Sequence, residues 1–233
     1  MTRHENEHWA RFWADYQADL ASKDEQSQVL RIRNKQPIDQ QSWEITLSTV
    51  AKQLELSSAD SLLDLCCGNG LFTLAFSSKV ETITAVDISS VLTEGLSARA
   101  LQNVVIETTD MRDAQFPKHC FSKVLWYAGI QYIDESDIVI MMRSIHSWMK
   151  PGGILLIGDI PDRAKLWEYF NNETRRKAYF AGLEKRKPII GSWLEASWLE
   201  NLCLESGFTT ANAVTQQKEL IYSDFRFDLI ART

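Results

Sequence analysis

Carboxylates stand at the ends of apolar runs along this chain. The run Ser61-Leu62-Leu63 leads into Asp64, Thr84-Ala85-Val86 leads into Asp87, and Asp110 and Asp159 follow later runs. Between Asp64 and Asp87 lies Cys66-Cys67-Gly68-Asn69-Gly70, a small-residue turn that opens a helix at Leu71. A strand, turn, helix and strand in this order make a nucleotide-binding unit. Its glycines let the backbone approach a ligand closely, and its second acid is placed to accept from a ribose diol. An ionised carboxylate only accepts and can take both hydroxyls, which suits Asp87. The competing role for Asp87 is N-cap of the helix beginning Ser89-Ser90-Val91-Leu92, but those serines can cap unaided. Asp64 has its own alternative as a turn-forming acid bonded to nearby amides. The turn does not suit a dinucleotide, because G-x-G-x-x-G would need a glycine where Thr73 stands.

Ligands of α/β sheets meet the carboxyl ends of the strands. Tyr127 and Gln131 leave the run Phe121-Ser122-Lys123-Val124-Leu125-Trp126 and are candidates to face a substrate. Core packing with a satisfied hydroxyl is the other reading for Tyr127 and Tyr132. Asp159, in Ile157-Gly158-Asp159-Ile160, belongs to the same rim, where it would orient or deprotonate a substrate hydroxyl or else cap the next helix. His146 is expected at the far end of the sheet. Residues 163–187 hold Arg163, Lys165, Arg175, Arg176, Lys177, Lys185, Arg186 and Lys187 among large aromatics. That enrichment suits an anionic small molecule or a solvated face balanced by Glu168, Glu173 and Glu184. His4-Glu5-Asn6-Glu7-His8 matches H-E-x-x-H letter for letter, but it lacks the apolar flank and third ligand that a zinc site needs. No metal is expected.

These motifs resemble motifs I and II of the class I S-adenosylmethionine (SAM) methyltransferases, a superfamily that usually reads D-x-G-x-G-x-G at the first turn. The resemblance covers residues 45–158 well and the later strands loosely. It implies SAM as cofactor, with Asp64 near the methionyl ammonium, Cys66, Gly68 and Gly70 in the turn, and Asp87 on the ribose. It further implies Ile88 beside the adenine, Asp110 on the adenine N6 amine, Met111 against the ring, and Tyr127 close by. Cys66 departs from the pattern at its first glycine; cysteine is small, and a strand end without a positive φ would accept it. Catalytic roles fall to Asp159, Tyr127 and Gln131. The N-P-P-Y tetrapeptide that suits nitrogen acceptors is absent, so oxygen is the expected acceptor on a small molecule such as a sugar or secondary metabolite. A SAM-fold binding or scaffold protein without turnover, and a protein or RNA methyltransferase, are the alternatives.

Positioning such residues requires alternating strands and helices. Strands are expected near 61–66, 82–86, 103–107, 121–127 and 153–158, with helices starting near Gly70, Ser90, Asp113 (short, or a loop) and Ser136. Lys150-Pro151-Gly152-Gly153 reads as a helix stop and turn. A helix over Trp193–Ser206 and strands over Phe208–Ala213 and Glu219–Ala231 would close the domain. The fold class is α/β, a Rossmann-like seven-stranded, mostly parallel sheet with its last strand antiparallel. Residues 1–40 form a helical extension or lid, in which Trp9, Phe12, Trp13 and Tyr16 make one stripe. Residues 41–233 form the SAM-binding domain, with an insertion at 160–190 as substrate cover.

A chain of 233 residues with 45% hydrophobic residues can bury one such core. Its net charge of −6 argues against a nucleic-acid partner, and no apolar run reaches the ~18 residues of a membrane span. The N-terminus shows no secretory signal. Cys66, Cys67, Cys120 and Cys203 lack metal or disulfide spacing, which fits reduced thiols in a cytoplasmic enzyme.

Overall fold

A computed structural model describes residues 7–17, 24–34 and 36–233. The N-terminal segment holds α1 (His8–Ala14), the single turn α2 (Glu25–Gln28) and a small antiparallel pair, β1 (Ile32–Arg33) and β2 (Gln36–Pro37). Asp39 caps α3 (Gln40–Gln53) by accepting from the Ser42 amide at 2.9 Å, as Pro37 and Asp39 lead one to expect. The alternating core follows: β3 (Ser61–Leu65), α4 (Leu71–Phe76), β4 (Thr82–Asp87), α5 (Ser90–Ser97), β5 (Val104–Thr108), β6 (Phe121–Tyr127), α6 (Glu135–Trp148) and β7 (Met149–Pro161). The insertion contributes α7 (Leu166–Tyr169) and α8 (Glu173–Glu184), and the chain closes with α9 (Ala196–Glu205), β8 (Thr210–Thr215) and β9 (Arg226–Arg232).

The large sheet has seven strands in the order β5–β4–β3–β6–β7–β9–β8. β3 pairs in parallel with both β4 and β6, and the last strand, β9, runs antiparallel to β7 and β8. Every residue of β3 is buried, the signature of a central strand covered on both faces. Alternation along the strands sorts the core into two layers. Leu63, Leu65, Trp126 and Ile157 pack on the α6 residues Ile138, Met142 and Ile145, with Leu199 and Cys203 of α9. Leu62, Leu125, Tyr127 and Leu156 pack on Trp43, Val50 and Leu54 at α3, and on Phe72 and Phe76 of α4. Asp64 shares the parity of Leu62 and therefore looks toward α4.

Several boundaries differ from expectation for physical reasons. Lys150-Pro151-Gly152-Gly153 do not form a turn ahead of the fifth strand. They belong to β7, whose pairing with β6 shifts register between Met149 and Ile154. The segment near Asp113, by contrast, takes its expected loop form. Residues 219–225 are turns instead of the first half of a strand, because Tyr222 and Phe225 join an aromatic cluster with Leu166, Phe170, Tyr179 and Trp193. That cluster gives the insertion a small core of its own. Among the described residues no helix is long and apolar enough to cross a membrane.

Candidate functional site

The turn after β3 is folded around two acids. Asp64 is 2% exposed and accepts from the Thr73 hydroxyl at 2.6 Å, so the residue that replaces a third glycine instead secures the acid. Burial pushes the Asp64 carboxyl up to about 7, against the pull of Thr73 and aided by the nearby charge of Asp87. At the end of β4, Asp87 accepts from the Gly68 amide at 2.8 Å and the Ser89 amide at 2.9 Å. The expectation that the serines cap unaided is wrong: Ser89 makes no side-chain cap bond, and Asp87 serves the helix start itself. An ionised carboxylate has about four acceptor positions, so capacity remains for a diol.

Cys66 corrects a second expectation. Its φ is +59°, in the left-handed region, which costs a side-chain-bearing residue about 1–2 kcal/mol. The position therefore does call for the conformation that glycine adopts freely. The neighbouring backbone accommodates the thiol. A Cβ at Gly129 would meet the Cys66 sulfur at 2.6 Å and Trp126 Nε1 at 2.8 Å, so glycine is required there. Burial pushes the Cys66 thiol well up, which makes it a packing group and not a nucleophile. Gly70, with φ +84°, caps α4 and lies behind the turn, where a Cβ would meet Leu96 at 2.4 Å.

Around this turn lies one cavity of about 190 Å³. Asp64, Cys66, Gly68, Asp87, Ile88, Asp110, Met111, Tyr127, Gln131 and Asp159 all line it, so of the sequence-selected residues only Gly70 stands back. Arg112 grips Asp110 with Nε at 2.9 Å and Nη2 at 2.7 Å, and also reaches Asp137 and Glu7. Met111 sets its sulfur 3.4 Å from that of Cys66. Tyr127 is 5% exposed, and its ring lies 4.7 Å from that of Phe72. Gln131 donates to the Ala128 carbonyl at 2.7 Å and keeps a buried oxygen without a partner among the described residues.

Asp159 does not cap the next helix; Asp162 does, by accepting from the Ala164 amide. Asp159 stands at a register shift between β7 and β9 with φ +62°, and a bulge of this kind re-aims a side chain. Asp228 holds it there by accepting from its amide at 2.9 Å, and Arg226 Nη1 comes within 3.6 Å of its carboxylate.

The cavity wall also contains residues outside the predicted site, of which Trp9, Trp13 and Tyr132 are legible in the sequence as stripe or core and the others carry no local signal. Asn69 donates to the Glu25 carbonyl and to Gln28 Oε1, each at 2.9 Å, which fastens α2 over the turn. Trp9 and Trp13 of α1 pack on Tyr132 at 4.8 and 5.5 Å. Val29, Leu30 and Arg31 complete the cover, and Tyr222 and Arg226 enclose the remaining side. No residue of 163–190 lines the cavity. His146 packs on Phe208, away from these groups. His4, Glu5 and Asn6 lie outside the described residues, and His8 stacks beside Trp9 at 4.9 Å.

The residues present fit an adenosyl cofactor. Asp87 keeps acceptor capacity for a ribose, Asp64 offers a buried acid to a cation, and the turn carries no phosphate cradle. Residues 62–153 match the family described as a methyltransferase domain. An uncharacterized methyltransferase of Schizosaccharomyces pombe is 31% identical over 107 residues, covering 45% of this chain and 41% of that protein. The demethylmenaquinone methyltransferase of Staphylococcus aureus (strain JH9) is 27% identical over 112 residues, 46% of each chain. The chain thus spans less than half the length of these curated relatives. A solved SAM-dependent methyltransferase of Leishmania major shares the fold with a TM-score of 0.68 at 13% identity, over 97% of this chain and 81% of that one.

Proposed function

We propose, from the premise that this chain belongs to the class I SAM-dependent methyltransferase superfamily, that it transfers a methyl group from SAM to an oxygen of a small molecule. One observation carries the reading: the acids suited to the cofactor and the polar groups suited to an acceptor line a single covered cavity. Residues 41–233 are the cofactor-binding unit, and residues 1–40 are its cover. The insertion at 160–190 backs that cover. Its Lys187 is close enough to His8 of α1 to lower the imidazole pKa, after burial as the larger cause. Free cysteines are consistent with a cytoplasmic setting.

Bound SAM supplies an electrophilic methyl group on a sulfonium that departs as a thioether. Asp64 would hold the methionyl ammonium, Asp87 the ribose hydroxyls and Asp110 the adenine amine. Ile88 and Met111, which line the same cavity, would pack on the ring. Tyr127 and Gln131 would position the acceptor, and Asp159 would take the proton of its hydroxyl. Alignment and water exclusion contribute up to roughly 7–11 kcal/mol in favourable cases, so no larger acid–base assembly is needed. The test is incubation with methyl-labelled SAM and a library of hydroxylated metabolites. Label in an ether product supports the reading; label only in protein, RNA or nitrogen-linked products overturns it.

A further inference from the structure

We propose that Arg31 is the receptor for a carboxylate or phosphate carried by a ligand in this cavity. The inference rests on the reading that the cavity takes an adenosyl cofactor and an acceptor. Arg31 is 7% exposed and lines the cavity. Its place is fixed from two sides. Its amide donates to the Gln26 carbonyl at 2.9 Å, and the next residue, Ile32, accepts from the Tyr222 hydroxyl at 2.7 Å. Arg33 then ties the same segment to Asp224 at 3.0 Å.

The guanidinium so placed is a buried cation with little to bind. Its carbon stands 4.9 Å from the Tyr127 ring centre, 5.3 Å from Trp43 and 5.9 Å from Phe72. Ring faces stabilise the charge, but they do not occupy the fork of in-plane N–H donors. Among the described residues its one acceptor is the Tyr127 hydroxyl, 3.4 Å from Nη2, at the long limit of a hydrogen bond. Among the described residues Nε is buried with no partner, and no carboxylate lies within 4.0 Å. An unpaired buried charge is costly. The same cavity wall shows how this chain meets that cost elsewhere: Arg112 has Asp110, Asp137 and Glu7, and Arg226 has Asp159. Among the described residues Arg31 is the cavity arginine with no carboxylate in direct contact, Asp159 acting on it only from farther away, and its planar fork matches one geometrically.

The anion has two sources, the acceptor or the amino-acid tail of the cofactor, and calorimetry separates them. Wild type, Arg31→Met and Arg31→Lys are titrated with S-adenosylhomocysteine and with its decarboxylated analogue. Benzoate and inorganic phosphate are then titrated into the S-adenosylhomocysteine complex. Arg31→Met keeps an unbranched apolar stem in the side chain's place while removing charge and fork.

The expected result is a loss of roughly 10–100-fold for an anionic probe, the usual worth of a hydrogen bond to a charged group, with partial recovery in Arg31→Lys. Loss for S-adenosylhomocysteine but not for its decarboxylated analogue supports the proposal with the anion on the cofactor. Loss for benzoate or phosphate alone supports it with the anion on the acceptor. Equal affinities of wild type and a folded Arg31→Met for all these probes overturn it. Should Arg31→Met not fold, wild type that binds both nucleosides equally and neither small anion overturns it as well. Wild type that binds no S-adenosylhomocysteine refutes the cofactor reading instead, and anion titration into the free protein still decides the role of Arg31.

Discussion

Asp64 shows what burial does to a single group. Its carboxyl, pushed up to about 7 mainly by desolvation, holds a proton below that pH, where the unfolded chain, with an ordinary carboxyl, is ionised. A raised carboxylate pKa lowers the stability of the folded state as pH climbs from about 4 to about 7. A cationic ligand favours the ionised form, so binding must expel the proton. S-adenosylhomocysteine is therefore expected to bind about tenfold more weakly at pH 6 than at pH 8, since one pKa unit is worth about 1.4 kcal/mol. Calorimetry in buffers of different ionisation enthalpy should show proton release near pH 6.5, and Asp64→Asn should abolish both effects. A second expectation concerns Asp87. Asp87→Ala frees the Gly68 and Ser89 amides as well as the ribose site, so affinity should fall roughly 10–100-fold. Wild-type affinity in that variant would remove Asp87 from the site. Both acids were legible in the sequence because each is fixed by a strand end within one short unit. Arg31 was not, because its neighbour Tyr127 is 96 positions away, and no local pattern reports such an approach. The left-handed φ of Cys66 is hidden from the sequence for a related reason: only the packing of Gly129 and Met111 reveals where its thiol goes.

Among the elements, α1 and β7 carry the sharpest consequences. No residue of α1 is fully buried, yet Trp9 and Trp13 roof the cavity through Tyr132. Deleting residues 1–20 should cost the far-ultraviolet circular dichroism no more than the contribution of α1 itself and depress turnover. A truncated chain that unfolds, or one that keeps full activity, would show that α1 is core or bystander. In β7 the register shift that aims Asp159 into the cavity makes its charge testable. Asp159→Asn should lower turnover by roughly 10²–10⁴-fold if the group accepts the proton, with S-adenosylhomocysteine affinity unchanged. A loss of only a few-fold would leave alignment alone to carry the reaction. The strand alternation that builds the sheet was readable from apolar runs and turn residues. The cover was half readable: the aromatic stripe of α1 announced a helix, but its seat on Tyr132 and the clasp of Asn69 on α2 are tertiary facts. The 163–187 aromatics drew attention to the insertion. Tyr179, with Phe170 and Trp193, instead spends its apolar surface on a local core.

At the scale of the whole molecule, the cavity joins segments that the sheet does not hold together. Residues 25–33 are fastened to the β3 turn through Asn69 and to the β8–β9 connection through Tyr222 and Arg33. A ligand spanning that cavity touches the sheet and its cover at once and binds only the folded chain. Its free energy therefore adds to global stability by mass action, about 2.7 kcal/mol at a concentration 100 times the dissociation constant. In a domain of this size each kcal/mol moves the melting temperature by roughly 2–4 °C, so S-adenosylhomocysteine should raise it by roughly 5–10 °C. NAD should not, because the turn offers Thr73 where a pyrophosphate needs a third glycine. Scanning fluorimetry with both ligands reads this directly. A shift with NAD and none with S-adenosylhomocysteine would reverse the cofactor assignment. A shift with S-adenosylhomocysteine that persists unchanged in the 1–20 deletion would mean that the sheet side alone binds, with α1 closing over a ligand already held.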